Sequence, residues 1–202
     1  AVVFLGLFAA SKLGLTTSRV QVPLSHVAID GEEIPIPLQG KVTEGKGWVL
    51  RNSKGQYTLT LDGLKAGSLE RKTPALEIQG DLTLVLKKGT ESELLSADAA
   101  LKKGAGTLTI RGEGSLRLQG ETALEGEWKE ETLNQDEPSA LRIEGGKLVF
   151  TGEETALYED TVELAGGEIQ IQCLNGKGTG IRAHTLDDRH FSGSLEMEES
   201  EE

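Results

Sequence analysis

Residues 75–110 carry the pattern that decides the architecture. They read Ala75-Leu-Glu-Ile78, Gly80-Asp-Leu-Thr-Leu84 and, after a polar stretch, Ala100-Leu101 and Gly106-Thr-Leu-Thr-Ile110. Aliphatic residues hold one parity in each segment, and Thr, Asp or Glu mostly hold the other. Successive side chains of a strand point to opposite faces, so this alternation makes one face dry and one wet. The same period returns in Tyr57-Thr-Leu-Thr-Leu-Asp62, Ser115-Leu-Arg-Leu118, Lys147-Leu-Val-Phe150, Glu168-Ile-Gln-Ile-Gln172 and Ser194-Leu-Glu-Met197. Helical periodicity is hard to find beyond the first dozen residues.

These strands recur. A glycine, one polar residue, Leu or Ile, any residue and then an apolar residue appear with the first apolar position at Leu82, Leu108, Leu148, Ile169 and Leu195. The steps are 26, 40, 21 and 26 residues, and the 40 is read as two turns of 20, with a less regular turn through Ala123-Leu124 and Trp128. An upstream strand repeats at Ala75, Ala100 and Ala140. Self-similarity with a period of about 20–26 residues belongs to stacked repeats rather than to a closed globule. The predicted fold class is all-β, a single-domain parallel β-helix whose strands pair with their equivalents in the next coil. Glycine doublets 145–146 and 166–167 suit sharp corners, and the five prolines lie outside the repeated strands.

Working outward, residues 51–197 are assigned to the β-helix and residues 18–50, with three prolines, to an N-terminal cap region. Residues 198–202 form an acidic tail, and residues 125–139 a protruding acidic loop. Residues 1–17 form an apolar N-terminal segment opening on ten residues without a polar side chain. Ten residues are too few to cross a bilayer, which takes roughly 20. Three readings of that segment stay open: a signal or anchor remnant, a cap, or an intersubunit segment through which residues 1–10 self-associate.

The chain has 202 residues, one cysteine and a net charge of −12. One cysteine excludes an internal disulfide and Cys-based metal sites. The acidic excess lies wholly in residues 101–202, which carry 22 acidic and 10 basic side chains. That balance opposes nucleic acid as a partner. No Gly-Lys pair is followed by Ser or Thr, so no phosphate loop exists. Asn175-Gly-Lys-Gly-Thr-Gly180 reads as a solenoid corner, not a nucleotide loop.

The segments Gly47-Trp48, Tyr57-Thr-Leu-Thr-Leu-Asp-Gly-Leu64, Ala75-Leu-Glu-Ile-Gln-Gly-Asp-Leu-Thr-Leu84 and Gly104-Ala-Gly-Thr-Leu-Thr-Ile110 resemble the β-helical carbohydrate-binding domains of Gram-positive anaerobe surface proteins. The resemblance covers residues 45–197. It implies a right-handed parallel β-helix, a secreted or cell-surface location, and a polysaccharide or cell-wall glycan as partner. Calcium sites occur in some members. It transfers no ligand-binding residue by motif.

The candidate chemistry is sparse. Sugar recognition commonly stacks an aromatic ring on a pyranose face and adds hydrogen-bonding side chains, which singles out Trp128 and Tyr158. Trp48 and Tyr57 are read as core-packing residues, and Cys173 as a small buried hydrophobe. The run His184-Thr-Leu-Asp-Asp-Arg-His190 gathers metal-capable side chains, of which Asp187 and Asp188 are the weak metal candidates, and is read as a polar loop. No catalytic residue is assigned and no cofactor is required, with calcium a possible aid. The expected function is a non-catalytic polysaccharide-binding module. A structural surface protein (spacer, adhesin or filament subunit) and a polysaccharide lyase are the alternatives.

Overall fold

Alternation is realised as three parallel ladders that the chain visits in turn, coil after coil. A computed structural model describes residues 20–128 and 139–199. The first ladder stacks strands Leu76–Gln79 and Ala99–Lys103 with residues 122–125, 155–159 and 179–183. The second stacks Gln56–Leu61, Leu82–Leu86, Gly106–Gly112 and Ser139–Ile143 with residues 161–164 and 185–187. The third runs from Lys65–Ser68 through Glu91–Ser96, residues 115–120 and 147–152, to Glu168–Cys173 and Ser194–Glu199. The result is a right-handed β-solenoid of about five turns.

Inward positions line up as columns. The first ladder stacks Leu76, Leu101, Leu124 and Leu157; the second stacks Leu59, Leu84, Ile110, Ile143 and Leu164; the third stacks Leu94, Leu118, Phe150 and Ile171. All of these are buried. Each fully buried Leu or Ile contributes about 1.5–3 kcal/mol against exposure, and the columns hold the coils in register. Corners need glycine where backbones stack: Gly106 has φ of 104°, and a Cβ there would lie 2.5 Å from the carbonyl carbon of Gly80 one coil away.

The ends differ. His26–Ile29 runs antiparallel along Leu76–Gln79 and covers the free edge of the first ladder. Val42–Gly45, Trp48–Ser53 and Gln56–Leu61 form an antiparallel meander beside the second. Val27 and Leu50 from these strands are fully buried. At the other end, Leu186, Leu195 and Met197 occupy inward columns yet are 40%, 38% and 51% exposed.

One expectation about the repeat needs correction. Leu82 and Leu108 belong to the second ladder, whereas Leu148, Ile169 and Leu195 belong to the third. The true partner of Leu108 is Leu141, and that of Leu148 is Leu116. The step of 40 is therefore one coil plus a passage to the next ladder, not two turns of 20. The facing positions Thr58, Thr83, Thr109, Arg142, Glu163 and Asp187 are 25, 26, 33, 21 and 24 residues apart. The 33-residue coil contains the acidic loop, of which residues 129–138 lie outside the described residues, as do residues 1–10.

Candidate functional site

The site grows from the register of the first ladder. Lys102 pairs with Glu125, Glu125 with Tyr158, and Tyr158 with Arg182. Leu157 points inward, so Tyr158 points outward, Glu159 inward and Asp160 outward. In the next coil Ile181 and Ala183 point inward, and Arg182 and His184 outward. The backbone N–H of Gly126 donates to the Tyr158 carbonyl at 2.6 Å. This carries the ladder one residue past Glu125 and aims Trp128 back across the outward face.

There the rings gather. Trp128 and Tyr158 are stacked, with centroids 5.0 Å apart and planes 28° apart. The imidazole of His184 lies 3.7 Å from the Trp128 ring at 43°. The Arg182 guanidinium sits 5.3 Å from Trp128 and 5.4 Å from Tyr158. Stacked aromatic pairs contribute about 0.5–1.5 kcal/mol beyond burial, and exposed cation–π contacts about 0.5–1 kcal/mol, so the cluster is a defined platform. His184 Nδ1 and Asp160 Oδ1, 2.7 Å apart, fix the imidazole against the ladder.

A groove of about 420 Å³ runs from this platform toward the N-terminal coils. Glu77, Gln79, Lys102, Glu125, Glu127, Trp128 and Tyr158 are among its lining residues. Lys102 and Glu125 lie 4.0 Å apart across two coils. The groove thus ends at an aromatic wall and offers an amide, an ammonium and several carboxylates within reach of one ligand.

Beneath it lies a buried polar triad. Lys103 Nζ is 2.7 Å from Glu159 Oε2, with the two side chains 1% and 0% exposed. The ammonium also donates to Ser139 Oγ at 2.8 Å, and that hydroxyl donates to Glu159 Oε1 at 2.7 Å. Burial draws Lys103 below the usual lysine range and lifts Glu159 above the usual carboxylate range, in each case against the attraction of the partner.

The structure brings Trp128 and Tyr158 together, although 30 residues separate them. Trp48 and Tyr57 are partly buried against the core, and Cys173 is buried. Asn175 closes its corner by accepting hydrogen bonds from Lys177 N and Gly178 N. The segment read as a polar loop at 184–190 is otherwise: Thr179–Asp187 is a strand, and only the residues after Asp187 turn. Asp187 is held by Arg189, whose Nε and Nη2 donate at 2.9 and 2.6 Å. Asp188 is exposed. Among the described residues, no three His, Cys, Asp or Glu side chains gather in a metal-binding group. Arg182, His184 and Asp160 escaped the sequence reading of the platform. The alternation Ile181-Arg-Ala-His184 was the signal that could have found the first two.

A search of the curated proteins finds no match, and a search of the solved structures finds none. A family model described as "carbohydrate-binding domain-containing protein" matches residues 25–200. That match spans every coil of the solenoid and the groove with its aromatic wall, and the chain belongs to this family of carbohydrate-binding domains.

Proposed function

We propose that the groove of the first ladder, closed by Trp128 and Tyr158, is where this carbohydrate-binding module takes its glycan. The stacked pair flanked by Arg182 and His184 is the observation that carries the reading. A pyranose presents apolar C–H faces to an aromatic ring and hydroxyls at its rim, and this wall offers both partners. Coils repeat at about 4.8 Å, close to the length of one sugar unit, so a chain lying along the solenoid axis meets one outward row per residue. Gln79, Lys102 and Glu125 then hydrogen-bond successive hydroxyls. The module acts outside the cell, on polysaccharide or cell-wall glycan.

Affinity electrophoresis in gels containing cellulosic or pectic polysaccharides, with calcium or with a chelator, tests the assignment. Wild type is expected to be retarded, and Trp128→Ala to bind roughly tenfold more weakly, the factor that losing about 1.4 kcal/mol of stacking gives. Trp128→Ala and Tyr158→Ala proteins that migrate as wild type in every binding gel would place the site elsewhere.

A further inference from the structure

We propose that Lys103 and Glu159 are joined by an intramolecular isopeptide bond, an amide between the lysine Nζ and the glutamate Cδ, that clamps two non-adjacent coils of the solenoid. The two side chains are already in direct contact. Nζ lies 2.7 Å from Oε2, and both side chains are sealed from water. Oε2 meets the ammonium in this direct ion-pair contact and has no other polar partner among the described residues. A buried ion pair carries a desolvation penalty of several kcal/mol per ion, which a neutral amide does not.

The other groups stand where the chemistry needs them. Oε1 accepts from the Asp160 backbone N–H at 2.8 Å and from Ser139 Oγ at 2.7 Å. These two donors hold the oxygen on which negative charge develops. Ser139 Oγ also accepts from Nζ at 2.8 Å and can relay a proton between nitrogen and carboxyl. Gly126 occupies the row between Lys103 and Glu159, and a Cβ there would lie 2.4 Å from Glu159 Cδ. Without a side chain at 126, residues from the coils on either side can meet.

The step balances without a co-reactant. A proton passes from the ammonium to the carboxylate, a transfer that burial favours at both ends. The amine lone pair forms the Nζ–Cδ bond, and the carbonyl electrons move onto Oε1. When the C=O re-forms, the Cδ–Oε2 bond breaks, and Oε2 leaves as water with two protons that began on Nζ. Nothing is oxidised or reduced.

Intact mass of the purified chain in denaturant reads the outcome. Wild type is expected lighter than its sequence by one water, about 18 Da, with a branched proteolytic peptide joining residue 103 to residue 159. Lys103→Met and Glu159→Ala chains are expected at full sequence mass, and Ser139→Ala with a larger uncyclised fraction. A wild-type chain at full mass, carrying an ion pair only, overturns the proposal, as does a deficit that maps to other residues. The wild-type measurement decides the matter even where a variant fails to fold.

Discussion

A Cβ on Gly126 would lie 2.2 Å from Oε2 of Glu159, so the missing side chain of one residue is the space that the other occupies. Gly126→Ala is therefore expected to destabilise the protein by about 1–3 kcal/mol, the usual cost of overpacking. It also displaces the carboxyl group from Lys103 and Ser139. Urea unfolding measures the first effect, and an unchanged midpoint would show that the row has more room than the geometry allows. Gly89→Ala isolates backbone strain from packing: beyond its chain neighbours no atom lies within 4 Å of its Cβ, and the positive φ of 75° alone costs about 1–2 kcal/mol.

The third-ladder column offers a test of the stacking itself. Phe150 is fully buried between Leu118 and Ile171, whereas Met197, next in the same column, is half exposed. Phe150→Ala is expected to cost about 3–5 kcal/mol, and Met197→Ala under about 1 kcal/mol. Denaturation midpoints of the two variants should differ accordingly. Equal losses would mean that the last coil is as tightly packed as the middle.

The coils were legible because alternation and corner glycines are local signals. What they could not convey was which ladder each strand joins. Gly106-Thr-Leu-Thr-Ile110 and Gly146-Lys-Leu-Val-Phe150 look alike because both enter a ladder through a glycine corner, yet they lie on different ladders. Trp128 and Tyr158 were picked out by residue type. That they touch depends on the register of Glu125 with Tyr158, hidden by the 33-residue coil. Lys103 and Glu159 were missed although both sit at inward parity after Leu101 and Leu157. Two opposite charges on the dry side of a strand were the visible sign, and only the three-dimensional stacking shows that they meet across Gly126.

Asp187 supplies a pH test. Hydrogen bonds from the Arg189 side chain, and then from its backbone, lower the carboxyl from 3.8 to about 2. A depressed folded-state value means that the contribution to stability is fully present above the unfolded value near 3.8. It is lost as pH falls toward 2. The pair is solvent-screened, so its weight in overall stability is small. The side-chain carboxyl carbon, followed by NMR, should titrate with a midpoint near 2, and Arg189→Gln should return it toward 3.8. A wild-type midpoint near 3.8 would show that the arginine does not hold the carboxylate in solution.

Cys173 reports on the C-terminal coils. Its thiol is buried in a row with Gly152 and Gly120, and the strand Ser194–Glu199 pairs along its outer edge. The Gly178 corner packs beside it as well, a Cβ there lying 3.3 Å from Cys173 Cβ, so lifting of the last strand is the opening that the labelling tests. Native labelling is expected to be on the order of a hundredfold slower than labelling in denaturant, the factor given by a local opening of about 3 kcal/mol. Leu195→Ala, which thins the contact between the final strand and Ile169, should speed native labelling while leaving the denatured rate unchanged. Mass spectrometry of timed quenches gives both rates. Native labelling as fast as in denaturant would mean that the final strand does not protect the row.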